Sequence, residues 1–287
     1  MNERTNVMAR WNETVSRPAW SACVSRRERV LKPVVLGLTL AGAMVIAGAT
    51  SPAFAQAPAA GALPTGDAVI ARYVEATGGV AAYDAIRNRV IRAKMEILGA
   101  NAVLGLTVYS ARPNSTYTLV ESEVTGRIES GVSDGVVWEN SAVRGAVVKT
   151  GAERDDALRD AIFDRMAHWK DHLKSAECTG TADVNGKPAY RVVATPKAGS
   201  AQTLHFDKES GLVVRTETTV NTAAGPVTVV AEPGDFRKVD GILMAFSSRM
   251  DVMGQQRVVT VEKVEQNVEL PADRFTPPAE IKALIKK

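Results

Sequence analysis

The sequence predicts a mainly β (α+β) chain: one antiparallel, strongly curved sheet with helices on its apolar side. Three observations carry this expectation. From Asn88 onward the apolar residues recur with a period of two, as on half-buried strands. Turn dipeptides punctuate the second half at short intervals. A single helix-patterned stretch, residues 152–173, separates two runs of strands, and neither a solenoid period nor a second domain boundary interrupts the chain.

Residues 1–55 read as a signal peptide. Arg26, Arg27, Arg29 and Lys32 precede the apolar run VVLGLTLAGAMVIAGAT, and the triplet Ala53-Phe54-Ala55 supplies an A-x-A cleavage signal before Gln56. At this length the run lies at the lower edge of a membrane span, so an uncleaved anchor is the competing reading. No cysteine follows the cleavage point to accept a lipid. Ser25-Arg26-Arg27 is similar to a twin-arginine signal, yet Arg29 occupies a position that such signals keep apolar, which favours general secretion. Met8 offers a second start within this long leader. The expectation is a periplasmic protein exported across the inner membrane.

Residues 56–64 form a linker, and residues 65–287 a single domain long enough to bury its own core. Thr65 caps a helix that carries Val69, Ile70, Tyr73 and Val74 on one face. Gly78-Gly79 stops it, and VAAYDAI forms a second short helix. In VIRAKMEIL, Ile91, Ala93, Met95 and Ile97 face one way while Arg92, Lys94 and Glu96 face the other. Strands follow at LGLTVYSA, TYTLVESEV and GVVWEN. In AERDDALRDAIFDRMAHWKDHL, Leu158, Ile162, Met166, Trp169 and Leu173 fall in a narrow helical arc, and Glu153, Asp155 and Asp156 load the first turn favourably for the helix dipole. Strands then run to the end of the chain, separated by turns at Asn185-Gly186, Asp207 to Gly211, Ala224-Gly225, Pro233-Gly234, Asp240-Gly241 and Met253-Gly254.

Charge and cysteine usage exclude several classes. The leader holds 7 of the 35 basic and 3 of the 32 acidic residues, so residues 56–287 carry 28 and 29. A near-neutral mature chain has no electrostatic case for nucleic acid or an anionic membrane surface. Of the two cysteines, Cys23 leaves with the leader, and Cys178 is expected as a small buried thiol in a protein without a disulfide. There is no G-x-S-x-G elbow, phosphate-binding glycine loop or dinucleotide fingerprint. Glu153, Asp155, Asp156 and Asp160 lack the alternating ligands and central glycine of a calcium loop.

The pair His168 and His172, four apart, resembles a metal-binding spacing. Asp171 stands where the inverted zincin pattern has glutamate, and only His205 remains as a third histidine, so the two are read as flanking, partly solvated residues. No catalytic, cofactor or metal residue is assigned.

Five segments in order resemble the superfamily of LolA- and LolB-like outer-membrane lipoprotein-sorting proteins: ARYVEATGGVAAYDAIRN, VNGKPAYRVVATP, LHFDKESGLVVRTET, DFRKVDGILMAFSSRM and NVELPADRFTPPAEI, spread over most of residues 66 to 283. The resemblance implies an incomplete, strongly curved antiparallel β-barrel, a half β-barrel whose apolar concave face is covered by helices. It also implies a non-enzymatic carrier for a lipid, acyl chain or lipoprotein, with no cofactor. Ala245 stands where relatives often have proline, and no ligand-contact residue carries over. Alternation alone nominates Ile91, Met95, Ile97, Leu104 and Leu106 as the cavity wall, and the helical arc nominates Leu158, Ile162, Met166 and Trp169 as its cover. Two other readings remain: an RseB-like envelope sensor that binds a protein partner, and a metal-dependent hydrolase using His168 and His172.

Overall fold

A computed structural model describes residues 62–123 and 126–285. The signal-peptide reading and most of the linker lie outside the described residues. Thirteen strands form one antiparallel sheet. The first run comprises β1 (Asn88–Ile97), β2 (Ala102–Ala111), β3 (Ser115–Ser122), β4 (Gly126–Ser133), β5 (Val136–Ser141) and β6 (Gly145–Val148). The second comprises β7 (Leu173–Val184), β8 (Lys187–Pro196), β9 (Gln202–Asp207), β10 (Val213–Thr222), β11 (Gly225–Val239), β12 (Ile242–Val252) and β13 (Gln255–Gln266). Each run is a meander of hairpins. The two join where β1 pairs with β13, so β6 and β7 are the open edges of an unclosed barrel.

The hairpin chemistry follows the turn residues. Asn185 and Gly186 both take positive φ, 55° and 80°, the geometry whose twist matches the flanking strands β7 and β8. Pro233-Gly234 behaves differently from the expected turn. It lies inside β11, paired with Ser248 and Ser247, and the register on β12 is the same on either side of Asp235, which takes φ 49°.

Helix α1 (Gly66–Thr77) begins as its sequence indicates. Thr65 accepts from the Ala68 N–H at 3.2 Å, and Gly78 ends the helix at φ 138°. A second short helix, α2 (Val80–Asp84), follows. Together they bury Val69, Ile70, Val74, Tyr83 and Ile86 against Val192, Leu204, Phe206 and Ile242 of the second strand run. Gly66 is required for this approach: a Cβ there would stand 2.3 Å from the Ala176 carbonyl oxygen of β7.

The connection from edge to edge departs from expectation. The predicted long helix is α3 (Gly151–Ala161), then an irregular segment, then the single turn α4 (Trp169–His172). Two side chains break the helix. Phe163 is buried, its N–H donates to the Pro113 carbonyl at 3.1 Å, and the guanidiniums of Arg89 and Arg112 lie 5.1 and 5.2 Å from its ring. Asp164 turns to φ 49° and accepts from Arg89. Continuing the helix would remove Phe163 from this site.

The C-terminus also differs, since it ends not in strands but in α5 (Ala279–Ile285). Ile281 and Phe275 pack on Tyr117, Trp138 and Tyr109. Those residues alternate with Val137 and Val132, which pack on α3, so α5 covers the opposite face of the sheet. Gly131 leaves room for the Trp138 ring there, and Arg274 stacks over Tyr109 and Tyr117. No described helix is long and apolar enough to cross a membrane.

Candidate functional site: the concave face and its crossing strap

Residues 149–172 leave the sheet at β6, cross the concave face and re-enter at the far edge, β7. This strap is bolted at both ends of its crossing. Near its start, Arg154 donates to the Gly135 carbonyl in the β4–β5 turn at 3.0 Å. Two residues later Asp156, only 2 % exposed, accepts from the Ser200 N–H at 2.7 Å and the Asn221 side-chain amide at 2.7 Å. It also accepts from Arg159, itself 5 % exposed, at 2.8 Å. Burial disfavours the Asp156 carboxylate, but the hydrogen bonds from Ser200 and Asn221 outweigh it and hold the carboxyl below the usual carboxylate range. Helix α3 thereby ties the β4–β5 side of the sheet to the end of β10.

The second half of the strap is held by side chains from the first strand and helices. Arg89 pairs with Asp164 at 2.9 Å, with only 12 % and 6 % of the two side chains exposed. His168 Nε2 lies 2.8 Å from an Asp84 oxygen, and the Trp169 indole N–H donates to Asp67 at 2.9 Å. Arg165 reaches Asp160 at 2.7 Å and Gln202 at 3.0 Å.

Two cavities flank the strap. On the side of the first strand run, a space of about 350 Å³ opens between α3 and the inner face of β3 to β5, edged by Thr116, Thr118, Ser130, Lys149 and Glu153. On the other side a space of about 330 Å³ has mostly apolar walls, from Leu204, Val213, Pro233, Ile242 and Met244. Its polar rim is Arg89, Asp164, Arg165, Gln202, Tyr73 and Tyr83. Burial pushes both phenols up from their ordinary value, so each is neutral throughout the physiological range.

The nine residues expected to line a cavity divide into four groups. Ile91, Met95, Ile97, Leu104 and Leu106 share the inner face, since Met95 pairs with Leu104 while Ile91 and Ile97 fall on the same side by alternation, and Leu106 lies two residues beyond Leu104. All five are half-buried and border neither cavity. Leu158 packs on Val132 and Val137, and Met166 and Trp169 pack at the edge of the main core, Met166 bordering the apolar cavity. Ile162 ends α3 in an extended conformation, so the four cover residues form no common stripe. The apolar cavity is lined instead from β9 to β12. Their alternation was visible, but nothing in the sequence marks which alternating strands the strap leaves uncovered.

His168 and His172 occupy one turn with different neighbours. His168 faces Asp84, while burial and the charges of Lys197 and Arg165 depress His172. Among the described residues no three His, Cys, Asp or Glu side chains are grouped to hold a metal ion. Cys178 is a partly buried free thiol at the edge of the main core.

No family model matches the chain, and no curated protein matches it in sequence. Solved structures do. A DUF1329 family protein from Desulfovibrio piger is 15 % identical, with a TM-score of 0.52, over 74 % of this chain and 98 % of that one. A LolA superfamily protein from Nitrosomonas europaea is 12 % identical, with a TM-score of 0.52, over 75 % of this chain and 99 % of that one. The unclosed curved sheet, the helices laid in its concavity and these two likenesses agree: the chain has the incomplete-barrel fold of the LolA superfamily, at a distance where the likeness is one of fold.

Proposed function

We propose that this chain is a non-enzymatic binding protein or carrier of the cell envelope, holding a lipid, an acyl chain or an acylated protein against its concave face. The observation that carries this reading is the cavity of about 330 Å³ walled by Leu204, Val213, Ile242 and Met244. On the same concave face of the sheet, an apolar band of Ile91, Met95, Ile97, Leu104 and Leu106 is left half-exposed. A filled core leaves neither, because interiors pack with few voids larger than a water molecule. The A-x-A triplet before Gln56 supports export to the periplasm by a cleaved signal peptide.

The test is mass spectrometry of organic extracts from protein purified out of its own periplasm, together with titration of a fluorescent fatty acid. Co-purifying lipid and saturable binding are expected. Failure to bind any acyl ligand overturns the carrier reading. A stoichiometric protein complex free of lipid would turn it toward the envelope-sensor reading.

A further inference from the structure

We propose that the apolar cavity selects a single-chain amphiphile with an anionic headgroup, whose charge is received by Arg89. This rests on the carrier reading and adds to it the headgroup chemistry and the number of chains. The cavity has one charged end. Its walls from β9 to β12 are apolar, and its ionic groups are Arg89, Arg165 and Asp164, two cations to one anion. Arg165 is already engaged by Asp160 and Gln202. Arg89 is not fully engaged. Asp164 takes its two terminal nitrogens, at 2.9 and 3.4 Å, while its buried Nε has no hydrogen-bond partner among the described residues. A guanidinium carries five donor hydrogens in a fixed fork and no acceptor, so what completes it is an acceptor oxygen, and an anionic one makes the strongest bond.

The remaining rim groups are already paired: the Tyr83 hydroxyl donates to Thr77 at 2.7 Å, and the Gln202 side chain lies between Arg165 and Thr218. A cationic head would meet two guanidiniums and find the nearby carboxylates of Asp164 and Asp160 already paired with them. A neutral alcohol oxygen can accept the same N–H, but without charge assistance it should bind more weakly. Size sets the chain number. At about 330 Å³ the cavity sits at the low end of ligand sites, which run from about 300 to 1,000 Å³, and it suits one chain rather than a bundle of three. Carboxylate and phosphate monoester heads share the required chemistry.

The test is displacement of the neutral probe N-phenylnaphthylamine from the mature protein by four ligands of equal chain length, each below its micelle concentration. They are dodecanoate, dodecyl phosphate, dodecanol and dodecyltrimethylammonium. At least one of the two anions should bind about tenfold or more tighter than dodecanol, the scale of a charge-assisted hydrogen bond, and the ammonium should bind weakest. Whichever anion binds tighter identifies the head. The paired variant Arg89→Met with Asp164→Asn removes both charges together while residue 164 keeps a side chain that tolerates its positive φ, and should bring the ratio of anion to alcohol near one while dodecanol still binds. Met244→Trp, which fills the cavity, should weaken all four. Equal binding of dodecanol and both anions by the wild-type chain overturns the headgroup assignment and leaves the carrier reading standing. Binding of none of the four, with no displacement of the probe, overturns both.

Discussion

Replacing Asp156 by alanine is the most informative single perturbation of the fold. Its carboxylate accepts from the backbone N–H groups of Ser200 and Asn221, from both of their side chains and from Arg159. Truncation leaves Arg159, 5 % exposed, as a buried guanidinium whose remaining partners among the described residues are the Ser200 carbonyl and the solvent-facing Asp160. Breaking a buried pair by removing one member costs about 3–5 kcal/mol, and we expect about 4 kcal/mol here. For a domain of this size that is a fall in Tm of roughly 8–16 °C. Urea unfolding followed by circular dichroism reads it directly, with the m-value unchanged. The paired variant Asp156→Leu with Arg159→Met should lose less, since no buried guanidinium is left short of a carboxylate. A loss below about 1 kcal/mol for Asp156→Ala would refute the view that this network ties the strap to β10. The pH dependence has a definite sign. Because the folded carboxyl is held below its unfolded value of about 3.9, its contribution is complete above that pH and disappears as the pH falls toward the folded value.

Further outcomes follow from local geometry and from the leader sequence. Gly131→Ala would place a Cβ 2.7 Å from the Trp138 ring, which is 1 % exposed and cannot retreat, so a loss of about 1–3 kcal/mol and a changed near-ultraviolet tryptophan signal are expected. Gly105→Ala, whose nearest neighbour is 3.9 Å away, is the control and should be close to neutral in urea unfolding. Burial depresses both His172 and His205 below the ordinary histidine value, so the unfolded chain binds protons first and stability should fall as pH drops below about 6.5. The double variant His172→Gln with His205→Gln should flatten that decline in urea midpoints measured between about pH 7 and pH 5. Intact-mass analysis of envelope protein should give a chain beginning at or near Gln56, and one retaining Val34 to Thr50 would contradict the leader assignment.

The strands were legible because a half-buried strand writes its orientation into every second residue. Ile91 and Met95 lie on the face that alternation assigns, and Asn185-Gly186 turns where its tolerance of positive φ says it should. The strap was misread for a physical reason. Leu158, Ile162, Met166 and Trp169 do recur at helical spacing, but Phe163 and Asp164, off that stripe, have partners on β1 and at the β2–β3 turn that a continuous helix would forfeit. Local periodicity cannot register a competitor supplied from 75 residues away. The C-terminal helix escaped for a related reason: the outer-face cluster of Tyr117 and Trp138 gives it a place to dock, and seven residues alone carry little helical preference.

The order of the strands has a kinetic consequence. Eleven of the twelve strand pairings join neighbours in sequence, and each can zip from its own turn. The twelfth, β1 on β13, unites Arg89 with Gln266 across almost the whole described chain. That pairing alone bears the entropy of a very long closure, which grows only with the logarithm of the loop. Folding should therefore show two fast, local phases for the two meanders and one slower event that brings their inner strands into register. Weakening the β1–β13 ladder should slow that last event while leaving the earlier ones in place.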